Sequence, residues 1–204
     1  MKLIGLSGRK NHMKSDVIVI ANDGRGMDEA LEQAEKVALY KGLAHKAALH
    51  LRLLTEEMMG MMRSITGERE GKFWIEDEGD EFQLHLQVET MMDYMKQEQL
   101  LAASFSGKNE AAKGIMGKIR TFFDPMDWAD APMPSSLDPM NMMFSWSMIE
   151  YRQSVKEMMA REQEGAEEAW DELEKSVVSN LADDVKVSIK GRNAEMIILK
   201  KVKN

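Results

Sequence analysis

The chain has 204 residues, 44% of them hydrophobic and 30% charged, which supplies apolar material for a folded core and is too hydrophobic for a disordered tail. Its 35 acidic residues outweigh 27 Lys and Arg, and the net charge of −8 argues against non-specific nucleic-acid binding, which depends on cations meeting phosphates. With no cysteine, disulfides and thiolate metal sites are excluded and a reducing, cytoplasmic setting is expected; the apolar run at residues 3–6 is too short for a signal peptide or a membrane span.

In chain order, residues 16–21 (DVIVIA) predict a buried strand closed by an Asn22-Asp23-Gly24 turn. From Asp28 a helix is expected, because Leu31, Ala34 and Ala38 share a face, Glu29 and Glu32 lie in the first turn, and Gly42 follows the end. Ala47, Leu51, Leu54, Met58, Met61 and Ile65 recur at four- and three-residue steps and predict a second helix over 45–65. A hairpin with one buried face comes next. Residues 73–76 are β-prone, Glu78-Gly79-Asp80 is turn chemistry, and Phe82, Leu84, Leu86 and Val88 alternate with Gln83, His85 and Gln87.

Helical patterns are expected at 93–101 and 109–123, and again over an acidic stretch at 146–181 interrupted at Gly165. All four prolines fall between Pro125 and Pro139, among Met126, Met133, Met140, Met142, Met143 and Met148, which predicts a mobile, lid-like insertion at about 104–148. Val185, Val187 and Ile189 alternate, Gly191-Arg192-Asn193 turns, and residues 196–199 are apolar, a second hairpin. No repeat of fixed period is present. The expected fold is a single α+β domain over 1–204, a two-layer sandwich with helices on one face of a mixed, mostly antiparallel sheet of about five strands.

This element order, with Thr55-Glu56-Glu57-Met58-Met59-Gly60 on the second helix, resembles the GHKL ATPase domain, and within it the anti-sigma-factor serine kinases. In that family the helix carries Ser-Glu-x-x-x-Asn, so the resemblance assigns Glu56 to the carboxylate that orients the attacking group. Gly60 replaces the asparagine that holds magnesium and offers the cation no oxygen. The family's Asp-x-Gly-x-Gly adenine box has no counterpart at 88–93. Its glycine-rich phosphate loop is matched only faintly by Gly107 and Lys108, ahead of a helix. The resemblance therefore implies a regulatory, ATP-binding-like module with a degenerate site at Glu56, Gly60, Gly107 and Lys108. It would bind ATP weakly if at all, hold no metal, be no active kinase or ATPase, and act through protein contacts.

Each of these residues also has an ordinary structural reading. Glu56 is in register with Arg52 and would form a surface pair. Gly60 costs about 1 kcal/mol against alanine in a helix, so a close neighbour, either a helix or a ligand, is expected there. Residues 106–109 read as a helix-capping turn as well as an anion loop. Asn22-Asp23-Gly24-Arg25-Gly26-Met27 matches the adenine box but precedes the glutamate helix, so it reads as a turn into a helix. His12, His45, His50 and His85 show no metal-ligand spacing, and no nucleophile–His–acid set can be assembled. The methionines of the insertion, with Trp128, Phe144 and Trp146, would either pack on the domain or form an adaptable partner surface at 125–148. The alternative function is a purely non-catalytic protein-interaction scaffold that binds no nucleotide, with no nucleic-acid or membrane partner.

Overall fold

The computed structural model describes residues 12–65, 70–89, 143–190 and 193–202. Strands β1 (Met13–Lys14) and β2 (Ile18–Ala21) precede helices α1 (Met27–Tyr40) and α2 (His45–Ile65), which lead into the hairpin β3 (Glu70–Asp77) and β4 (Glu81–Glu89). The chain resumes with β5 (Met143–Ser147), followed by α3 (Met148–Ala160), α4 (Ala166–Lys175) and α5 (Val177–Leu181). It closes with the hairpin β6 (Asp184–Lys190) and β7 (Asn193–Lys201). The sequence expectation of a 45–65 helix and two hairpins is met. The acidic stretch expected to be helical from Trp146 instead begins as a strand, and its helix starts at Met148, where Ser147 takes the N-cap.

Among the described residues the seven strands form one sheet in the order β1/β2–β3–β4–β7–β6–β5, and each of these pairings is antiparallel. The expected mixed character is absent from these pairings for a simple reason. The two helices between β2 and β3 return the chain so that β3 runs opposite to β2, and the tight turns of β3–β4 and β6–β7 do the same. Read inward from the edges, β2–β3–β4 and β5–β6–β7 have the same plan of strand, helices and hairpin, and they meet at β4–β7. The chain thus repeats a topology without repeating a sequence.

One face of the sheet is apolar across four strands. Register places Ile75 opposite Leu84 and Leu84 opposite Ile198, with Val185 beyond; Phe73, Leu86, Met196 and Val187 form the next row. All are fully or almost fully buried in one cluster with Leu51, Leu54, Met58 and Met61 of α2, Ala30, Ala34 and Val37 of α1, and Val155, Leu173 and Val178 of α3, α4 and α5. Each such side chain contributes about 1.5–3 kcal/mol relative to exposure, so this shared layer is the main stabilising element. The stripe that gives α2 its helical period is also the stripe that covers the sheet. Among the described residues no helix is long and apolar enough to cross a membrane.

Two polar contacts tie the layers together. Asp77, fully buried at the end of β3, pairs with Lys41 Nζ at 2.7 Å just past α1, and its other oxygen accepts from the Gly79 N–H. At the opposite edge, Asp184 sits at the start of α3, where its Oδ1 accepts from the backbone N–H groups of Ile149 and Val185 and its carboxylate accepts from the Ser147 hydroxyl. A carboxylate there meets the positive end of the helix dipole.

Candidate functional site

Of the residues assigned by resemblance, the two that are described lie apart from the core. Glu56 and Gly60 are exposed on the outer stripe of α2, on the side opposite the sheet-covering Leu54, Met58 and Met61. Arg52 does not pair with Glu56 but with Glu35 of α1. A Cβ built on Gly60 would meet nothing within 4 Å, so the close neighbour expected from the cost of a helical glycine is not found among the described residues. Gly107 and Lys108 lie outside the described residues, as does 125–142 of the expected partner surface. Its last part enters the sheet as β5, with Trp146 packed against the core cluster. The Asn22–Met27 box is a turn into α1. Arg25 N–H donates to Asp23 Oδ1, holding that carboxyl below its usual range, and Gly26 adopts φ 75° as the N-cap residue. A Cβ at Gly26 would lie 2.2 Å from the Val19 carbonyl oxygen, which is why glycine stands there.

The most organised chemistry lies on the other face of the sheet, where β3, β4 and β7 juxtapose Trp74, Glu76, His85 and Glu195. His85 stacks on Trp74 with ring centroids 4.7 Å apart and planes 9° from parallel. Its Nδ1 is 2.9 Å from Glu195 Oε1; a carboxylate can only accept, so the ring proton sits on Nδ1. Glu76 accepts from Trp74 Nε1–H and Lys14 Nζ, and the Lys14 hydrogen bond holds its carboxyl below the ordinary range. Lys14 Nζ also lies 4.6 Å from the Trp74 ring centroid. This histidine–carboxylate pair lacks the access of a catalytic base. His85 Nε2 is shielded from solvent, lies 4.0 Å from Glu76 Oε2 and has no hydrogen-bond partner among the described residues. The network joins four strands, β1, β3, β4 and β7. Among the described residues no group of three metal-ligating side chains converges.

A different surface exposes large apolar side chains. The α1–α2 connection is a Schellman turn: Gly42 at φ 63° donates to the Leu39 carbonyl, and the Leu43 N–H donates to Ala38 O at 3.0 Å. Leu43 packs against the core, so the turn is anchored. The anchoring leaves the last turn of α1 facing outward, with Leu39 83% and Tyr40 77% exposed. Leu39 is one turn beyond Glu35, and Leu49 is one turn before Arg52. Because Glu35 and Arg52 pair across the antiparallel helices, Leu39 and the exposed Leu49 fall side by side at the tip. The sequence held a signal for this surface that periodicity does not read. Residues 36–55 contain no Asp or Glu in a chain with 35 of them, while Lys36, Lys41, His45, Lys46, His50 and Arg52 all fall there. The half-buried His50 is held below the usual histidine range by burial first and then by the charges of Lys200 and Lys46. No protein-family model, curated protein or solved structure was found to match the chain.

Proposed function

We propose that the protein is a non-catalytic protein-interaction module whose antiparallel sheet is a scaffold for a contact surface at the α1–α2 tip. The observation that carries this reading is the pair Leu39 and Tyr40, large apolar side chains held in solvent by a turn whose own residues are anchored in the core. A cysteine-free, net acidic chain suits a cytoplasmic setting and a protein partner rather than nucleic acid. The competing reading is a regulatory, GHKL-type ATP-binding-like module. It has in its favour the β-α-α-β-β order and Glu56 on α2, and against it the placement of Glu56 and Gly60 on the outer side of that helix.

Affinity purification from the cells that make the protein, with quantitative comparison of wild type and a Leu39→Asp/Tyr40→Asp variant, is the direct test. Partners enriched on wild type and lost on the variant are expected; an identical partner set would remove the tip from the function. Calorimetry with Mg-ATP separates the competing reading. Binding no tighter than the millimolar range, about −4 kcal/mol, is expected. Micromolar affinity abolished by Glu56→Ala or Lys108→Ala would restore a nucleotide site.

A further inference from the structure

The tip has chemistry that selects among partners. Leu39, Tyr40 and Leu49 present an apolar strip across two helices, edged by His45, Lys46 and His50. Three of the other cations nearby are already matched, Lys36 by Glu32, Lys41 by Asp77 and Arg52 by Glu35. Lys46 has no ion-pair partner among the described residues. Two identical tips would therefore bring Lys46 against its own copy with no carboxylate from the 36–55 stretch to separate them, which opposes self-association. The chain's own acidic helix is no better a match. On α4, Leu173 and Ala166 are buried and Trp170 is partly buried, so what α4 shows outward is charge without an apolar anchor.

We propose that the α1–α2 tip docks an acidic amphipathic helix of a partner protein. Its apolar stripe would lie on Leu39, Tyr40 and Leu49, and its carboxylates would face Lys46 and the His45 and His50 edge. This rests on the reading of the protein as an interaction module and names the partner's chemistry. A helix laid along two antiparallel helices repeats the packing that already joins α1 to α2, with anchors spaced at three and four residues. Opposite charge at the rim speeds encounter and rejects basic competitors, while the apolar strip supplies the persistence of the complex.

The test uses the full chain and a dye-labelled helical peptide with leucines at i, i+4 and i+7 and glutamates on both flanks. A control peptide carries lysine in place of each glutamate. Fluorescence anisotropy should give saturable binding of the acidic peptide, at least about tenfold tighter than the lysine peptide and weakened by salt. Leu39→Asp should weaken it about tenfold or more, and Lys46→Glu should shift preference toward the lysine peptide. Both side chains are on the surface, so circular dichroism matching wild type is expected for each variant. Equal binding of the two peptides, or no effect of Leu39→Asp, would overturn the proposal. A dimer seen by light scattering and lost in Leu39→Asp would assign the strip to a second copy and overturn the partner. Partners lost on the Leu39/Tyr40 variant while the acidic peptide fails to bind would leave the interaction module standing and remove only the acidic helix; partners retained on that variant would remove both.

Discussion

The two faces of the sheet are made by the same strands and stabilised by different physics. On the helix-covered face, alternate residues of β3, β4, β6 and β7 are aliphatic or aromatic and interlock with five helices, so its stability comes from area removed from water. On the opposite face the intervening residues are Lys72, Trp74, Glu76, Gln83, His85, Gln87 and Glu195, and His85 is only 6% exposed although it belongs to no apolar cluster. There the burial is held by ring stacking and charge-assisted hydrogen bonds, which are directional and tolerate little substitution of partners. A single period-2 pattern can thus encode a non-directional core on one side and a specified polar network on the other.

The largest effects should come from the covered face. Leu84→Ala removes a fully buried side chain at the centre of the sheet, between Ile75 and Ile198, and should cost about 2–5 kcal/mol in urea unfolding. A loss under about 1 kcal/mol would mean that the two layers are not joined as described. Asp77→Ala tests the polar tie between those layers. It strands Lys41, whose side chain is 19% exposed, and should cost about 3 kcal/mol, whereas the double variant Asp77→Ala/Lys41→Met should recover part of the loss. Asp184→Ala removes the carboxylate at the start of α3 and should cost about 1–2 kcal/mol by the same measurement.

How far the sequence could be read depends on which of these forces acted locally. The α2 stripe and the alternation through Phe82, Leu84, Leu86 and Val88 depend on residues a few positions apart, and both elements stand where the pattern puts them. The partner of β4 is β7, more than a hundred residues on, and register between them follows from packing of the whole layer rather than from any local spacing. β5 was hidden for another reason. Its short MFSWS segment lies next to a methionine- and proline-rich stretch and directly precedes a helix, so composition and the helical period both masked it. The His85 network was legible only as a polar interruption, because its partners Glu76 and Glu195 come from other strands. The tip at Leu39 and Tyr40 was missed because an apolar pair in a last helical turn looks like core; what marks it is the missing acid in 36–55, a signal of charge rather than of period.

Gly60 gives a smaller effect of opposite sign. The glycine sits inside a 21-residue helix with open space where a Cβ would be, so Gly60→Ala should stabilise the protein by about 0.5–1 kcal/mol in the same unfolding assay. Destabilisation instead would reveal a close neighbour at this position and revive the reading of Gly60 as part of a site.

The smallest effect should come from the open face and should depend on pH. Lys14 holds the Glu76 carboxyl below its ordinary range, so folding favours the ionised form. Because the folded value is the lower one, this contribution is present above the ordinary glutamate range and is lost as pH falls through the folded value. Lys14→Met removes the hydrogen bond and should raise the Glu76 titration toward its ordinary range, read from the carboxyl resonance by NMR. Lys14 is about half exposed, with a side chain at 49%, so water already screens the pair and the loss at neutral pH should be at most about 1 kcal/mol. At a pH where Glu76 is protonated in both proteins, wild type and variant should unfold at nearly the same urea concentration, apart from the contact of the Lys14 ammonium with the Trp74 ring. A difference that persists undiminished at low pH would assign the effect to that contact rather than to the ion pair, and would place the open face nearer in character to the covered one.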